Sequence, residues 1–198
     1  DKEVYAPGYK NGETVALVRF PHGGTFEIPI LKVNNKIKEG QDVIGTAAKD
    51  AIGISSRTAG ILSGADFDGD TVMVIPCNSE NSKIKISHKP PLKDLEGFEP
   101  KDTYGSDKVT TDSKGNKHYY RNGAEYKIMK NTQTEMGIIS NLITDMTLKG
   151  ATEDELARAV KHSMVVIDAE KHKLDYKSSY ADNAIASLKK KYQGVTEP

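Results

Sequence analysis

The sequence predicts an α+β chain in three parts: a small β-barrel over residues 1–76, an irregular connector with a hairpin over 77–130, and a helical region over 131–198 that packs on the barrel. Three observations lead there. Short apolar runs and period-two alternations broken by glycine-rich turns fill the first third, the pattern of a barrel or sandwich rather than a doubly wound sheet. Asn, Ser, Lys, Asp, Gly and Pro dominate residues 77–126, and Pro90-Pro91 breaks any helix there. Apolar residues at helical spacing follow two Thr-x-x-Glu signals in the last third, the signature of capped amphipathic helices.

In the first part, Val15-Ala16-Leu17-Val18-Arg19-Phe20 is an apolar strand and residues 25–33 alternate, with His22-Gly23-Gly24 as the turn between them. Pro29 makes the second run an edge strand or a bulged one, because proline cannot donate to a ladder. A third strand is expected at Asp42-Val43-Ile44, a short helix over 46–52, and further strands at 60–63 and 71–75. In the connector, Lys117 to Gly123 reads as a hairpin. In the last part, Thr132 and Glu135 form a capping box ahead of Met136, Ile139, Leu142, Ile143 and Met146, and Gly150 ends that helix. Thr152 and Glu155 cap a second, with Leu156, Ala159, Val160, Met164 and Ile167 facing the core; a third covers 182–192, with Ile185 and Leu188 buried and Gly194 as its stop.

Lysine plus arginine equals aspartate plus glutamate at 28 each, so no global field attracts a polyanion and any nucleic acid must be met locally. One cysteine, Cys77, excludes an internal disulfide framework and fits a reducing compartment. No apolar run is long enough for a membrane span, and no membrane partner is expected. The expected location is the cytoplasm of a bacterium or phage-infected cell. The chain opens on Asp1 without methionine and reads as a piece of something longer.

The chemistry concentrates in Asp66-Phe67-Asp68-Gly69-Asp70. In an extended strand, alternate residues lie about 6.6 Å apart, too far for three carboxylates to share one ion at bonds of about 2.1 Å. The backbone must therefore curl, and Gly69 permits it. Without a cation the crowding is unfavourable, since like charges about 4 Å apart repel by about 4 kcal/mol at an effective dielectric of about 20. Asp66, Asp68 and Asp70 thus read as ligands of Mg2+ or Mn2+; the alternative is a solvated Asp-Gly turn between strands. A calcium hand fails twice, with Thr71 where glycine belongs and Cys77 where the bidentate glutamate belongs. A haloacid-dehalogenase-like phosphatase, which needs Asp-x-Asp-Gly-Thr, meets Asp70 at the threonine position and stays as the weaker enzyme alternative.

The stretch from Ser63 to Asp70 resembles the metal-binding loop of multisubunit RNA polymerases, carried by a double-psi β-barrel of the beta-prime subunit, and the equivalent loop of the RNA-dependent RNA polymerases of RNA silencing. Val18-Arg19-Phe20-Pro21-His22 resembles the Arg-x-Pro segment beside that loop, and stretches 136–141 and 162–171 are similar to helical segments that follow the barrel in the silencing enzymes. Single-chain phage polymerases of this superfamily look most alike. The resemblance implies a six-stranded double-psi barrel and a nucleotidyltransferase acting with nucleoside triphosphates on a nucleic acid template to make RNA. It implies Asp66, Asp68 and Asp70 as catalytic metal ligands, and Arg19, Gly64 and Gly69 as substrate-binding positions, Arg19 at the ribose or RNA 3′ end. Gly64 stands where the beta-prime loop opens with asparagine. A second barrel bearing lysines, in the same or another chain, would complete the site, so this chain alone is expected to bind metal weakly and to incorporate no nucleotide. A non-catalytic nucleic-acid-binding barrel is the alternative from another class.

Among the remaining polar residues, His162 reads as a packing or hydrogen-bonding histidine, Asp168 and Lys171 as a helix-surface pair or an organising one, and Lys189-Lys190-Lys191 as a solvated helix end. Tyr119 and Tyr120 beside Arg121 fit base stacking and cross-strand packing equally.

Overall fold

Four buried residues in a row, Val15, Ala16, Leu17 and Val18, make strand β2 (Thr14–Val18) the centre of the first sheet. In a computed structural model, which describes residues 2–19, 27–62, 70–80, 82–90 and 92–194, the sheet has the order β1-β3-β2-β4. β1 (Glu3–Val4) lies parallel to β3 (Ile30–Val33), which runs antiparallel to β2; β4 (Met73–Pro76) is antiparallel to β2 on its other side. Val4, Ala6, Val15, Leu17, Leu31, Val33 and Leu62 form the core of this unit. The chain divides into two compact units, Asp1–Pro91 and Leu92–Pro198.

The described residues do not form the six-stranded double-psi barrel. Among the described residues there is an open four-stranded sheet, a separate three-stranded sheet and seven α-helices, and neither sheet closes. Two expected strands are helices instead. Residues 42–44 fall at the end of α1 (Lys38–Val43), and residues 60–61 belong to α2 (Ser56–Ile61), which Ser55 caps by accepting the Thr58 N–H. The helix expected over 46–52 is irregular, and Gly53 beyond it pairs with Tyr5 through an antiparallel bridge, N–H to carbonyl in both directions at 2.9 and 2.8 Å. Pro29 does not mark an edge: it precedes β3, where no ladder donor is required, and its carbonyl accepts the Leu17 N–H at 3.1 Å.

The second unit opens with a 3-10 turn and α3 (Pro100–Tyr104), followed by a meander of β5 (Lys108–Thr111), β6 (Lys117–Arg121) and β7 (Ala124–Tyr126). Asn122 and Gly123 both take positive φ, 51° and 78°, the backbone of a two-residue turn whose twist matches its strands. The helices are α4 (Thr132–Leu148), α5 (Glu153–His172), α6 (Tyr176–Asp182) and α7 (Ile185–Gln193). Gly150 and Gly194 end α4 and α7 at positive φ. The third helix expected over 182–192 is α7, and the chain reverses before it at Ala184, φ 51°.

The Thr152–Glu155 capping box forms in both directions, whereas no box forms at Thr132. There Thr132 donates to Glu170 on α5 and Glu135 accepts from the Tyr176 hydroxyl, so tertiary partners take the groups that a box would use. α5 is also rotated relative to its expected face. Glu155, Ala157, His162, Ser163, Val165, Val166 and Ala169 are buried with Ala159 and Val160, while Ile167 is exposed, because the helix packs against α3, α4, α6 and α7 rather than on one partner.

Candidate functional site at Arg19 and Asp70

The β2–β4 pairing assembles the site. Val18, the last residue of β2, stands opposite Met73, the first of β4. The chain leaving β2 therefore meets the chain entering β4, and Arg19 reaches Asp70 across 51 residues of sequence. Arg19 donates Nε–H at 2.9 Å and Nη2–H at 2.6 Å, both to Asp70 Oδ1, and each side chain is 19% exposed. Bonds between ionised partners in such partial shelter are stronger than neutral ones and less screened than at an open surface.

Asp70 and Thr71 also line a cleft of about 380 Å³ with Tyr9, Lys49, Asp50, Ile52, Val72 and Val74. That volume falls within the range of small-molecule sites. Its lining combines apolar Ile52, Val72 and Val74 with charged Lys49, Asp50 and Asp70.

Of the residues singled out from sequence, the structure brings Arg19 and Asp70 together, while Asp66, Asp68, Gly64 and Gly69 lie outside the described residues. Among the described residues no group of three His, Cys, Asp or Glu side chains is placed to hold a metal ion. The donor set of the motif nevertheless suits a hard cation, being all carboxylate oxygen, and the one member described already has a cation against it, the Arg19 guanidinium. Sequence reading placed Arg19 near the loop without foreseeing this ion pair. The signal available was an arginine just past one strand and an aspartate just before its partner.

The other polar candidates have structural explanations. His162 is 1% exposed, with Nδ1 2.9 Å from Ser179 Oγ and the Tyr176 and Tyr180 rings 5.0 and 5.4 Å away. Burial, assisted by the Lys189 charge, lowers its pKa from 6.5 to about 4. A depressed histidine binds fewer protons folded than unfolded between these values, so stability falls as pH drops through 6.5 towards 4. The chain should lose about 2–3 kcal/mol between about pH 7 and pH 4.5 from this group. Urea unfolding at both pH values checks it: His162→Gln should flatten the dependence in that window, and an unchanged slope would rule out His162 as its source. Glu155, held down to about 2 first by Lys191 and then by Tyr192, acts below its ordinary 4.5, in a lower window.

Lys189 lies over the Tyr180 ring and Lys191 pairs with Glu155, so the lysine run is not merely a solvated end. No ion pair joins Asp168 to Lys171 among the described residues. Tyr119 packs across the ladder on Tyr126 at 6.4 Å, and Arg121 donates to the Thr103 carbonyl, pairs with Asp175 at 3.6 Å and covers the Tyr104 ring, so both serve packing.

Compared with protein-family models, curated proteins and solved structures, the chain matches none. No helix among the described residues is long and apolar enough to cross a membrane.

Proposed function

We propose that this chain supplies the cation-holding acidic loop of a nucleotidyltransferase that makes RNA on a nucleic acid template. What supports the reading is the ion pair between Arg19 and Asp70. It puts a guanidinium suited to phosphate and ribose oxygens against the last of three closely spaced aspartates. A bare Asp-Gly turn needs neither the other two acids nor an arginine.

In this reading Asp66, Asp68 and Asp70 would hold Mg2+, or Mn2+ in its place. Bound there, the ion supplies charge stabilisation for the attacking and leaving oxygens of phosphoryl transfer, with a second ion arriving on the nucleoside triphosphate. The chain's own residues hold the geometry: Gly64 and Gly69 let substrate approach the backbone, and Arg19 fixes the ribose or the RNA end. The cleft beside Asp70, lined by both apolar and charged side chains, suits a ligand with an apolar part and a charged end. A second domain, in this protein or a partner, would contribute the lysines that contact phosphate.

The test is Asp68→Ala in the full-length protein, read by template-directed incorporation of labelled nucleotide and by nucleic acid binding. Incorporation should vanish with binding retained. Surviving incorporation would leave a non-catalytic nucleic-acid-binding module as the better description. Hydrolysis of a small phosphate ester by the 198-residue chain alone would favour the phosphatase.

A further inference from the structure

Resting on that reading for the kind of ligand, we infer that the basic loop after β4, residues 82–90, holds single-stranded nucleic acid by its phosphates. The charge pattern carries this. From residue 81 to 91 the chain has Lys83, Lys85, His88 and Lys89 and no carboxylate. All four are exposed, and none of the three lysines enters an ion pair among the described residues. In a chain whose 28 basic and 28 acidic residues cancel, such a run gives the local positive potential that a polyanion needs.

The loop is held in shape. Cys77, just past β4, donates its N–H to the Thr14 carbonyl at 2.9 Å. Asn78 follows at φ 58° and donates its backbone N–H to the Ile84 carbonyl at 2.9 Å. Its side-chain amide donates to the Ile86 carbonyl and accepts the Ile86 N–H, both at 2.8 Å, as a neighbouring strand would. Ser82 Oγ accepts the Ile84 N–H at 3.1 Å, and Lys85 Nζ donates to the Ser79 carbonyl at 2.8 Å. An ammonium has three donors, so Lys85 keeps others for a phosphate. A loop ordered beforehand loses less entropy when its charges engage a ligand.

Ile84, 47% exposed between Lys83 and Lys85, selects the single strand. A duplex would offer this loop phosphates alone, whereas a single strand also presents unstacked base faces to an apolar side chain. Anionic lipid is the other extended polyanion. Lysines at its surface contribute about 1 kcal/mol each, and lasting attachment takes a broad apolar face that one exposed isoleucine does not supply.

Fluorescence anisotropy of a labelled oligouridylate of about 20 nucleotides, titrated with the protein between about 50 and about 200 mM KCl, tests this. Changing Lys83, Lys85 and Lys89 together to glutamine should weaken binding at least about tenfold at the lower salt and make the log–log salt slope shallower by about 2, about 0.7 for each lost contact. Asn78→Gly, which permits positive φ and keeps every charge, should weaken binding about threefold with the slope unchanged. Glutamine at Lys32, Lys36 and Lys38 should change neither; all six lysines are exposed, so both triple variants test charge rather than folding. An equal fall in slope for both triple variants, tighter binding of a duplex of the same length, or retention on phosphatidylserine vesicles without oligonucleotide binding overturns the inference. The functional reading fails on a different result, RNA synthesis surviving Asp68→Ala.

Discussion

On the proposed reading, replacing Asp70 by asparagine in the protein should cut template-directed RNA synthesis by about 10²–10³-fold, because a lost metal ligand would remove several kcal/mol of charge stabilisation. Unlike the other two acids, Asp70 has a described structural role, so a second effect follows. Asparagine leaves the Arg19 guanidinium against a neutral amide in a site four-fifths closed to water. The expected loss of stability is about 1 kcal/mol, between the values for exposed and for buried pairs. Arg19→Gln combined with Asp70→Asn should recover that stability, as two neutral amides can bond to each other, while synthesis stays lost. Primer extension and urea unfolding of these two variants separate the two roles. A single variant that loses stability but keeps synthesis would show that Asp70 only holds Arg19.

Adding one methyl group at Gly40 should destabilise the first unit by about 3 kcal/mol, a large share of a typical folding stability of about 5–15 kcal/mol. A Cβ there would stand 2.3 Å from Tyr5 Cγ and 2.8 Å from Tyr5 Cβ. Those atoms cannot swing aside. Tyr5 is 2% exposed, its hydroxyl donates to the Gly45 carbonyl at 2.7 Å, and its backbone bridges Gly53. The need is for space, since Gly40 is helical and has no positive φ. Denaturant midpoints for Gly40→Ala alone and in a Tyr5→Ala background measure the coupling. Equal costs in the two backgrounds would mean that the ring is not what excludes the methyl group.

The same contact explains part of what sequence reading could not reach. Lys38 to Val43 carries no apolar face and a mid-helix glycine, so nothing in its own pattern calls for a helix; packing of Gly40 on Tyr5 does. α2 was hidden in the same way, because Ile61 and Leu62 read as a strand fragment while Ser55 acted as a cap. β1 has only two residues and takes its identity from β3. Features specified within a few residues were legible: the glycine stops, the Thr152 box and the buried Ile139, Leu142, Ile143 and Met146 of α4, whereas the hairpin expected over Lys117 to Gly123 is one strand, β6, and the turn that follows it. The barrel was expected from short strands and from resemblance, neither of which encodes which strands pair. For the site, the motif singled out Asp70, but its hydrogen bonds to Arg19 depend on a register that only the folded sheet sets.

That register has a consequence for how the site comes into being. In the second unit the strands pair with their sequence neighbours, β5 with β6 and β6 with β7. In the first, β2 must wait for β4, which lies beyond β3, α1 and α2. Pairings across long loops form late, because the entropy of closing the loop is lost before the contacts repay it. Arg19 and Asp70 therefore meet only when the least local strand pair of their unit has closed, and a partly folded chain carries the acidic motif without its guanidinium partner.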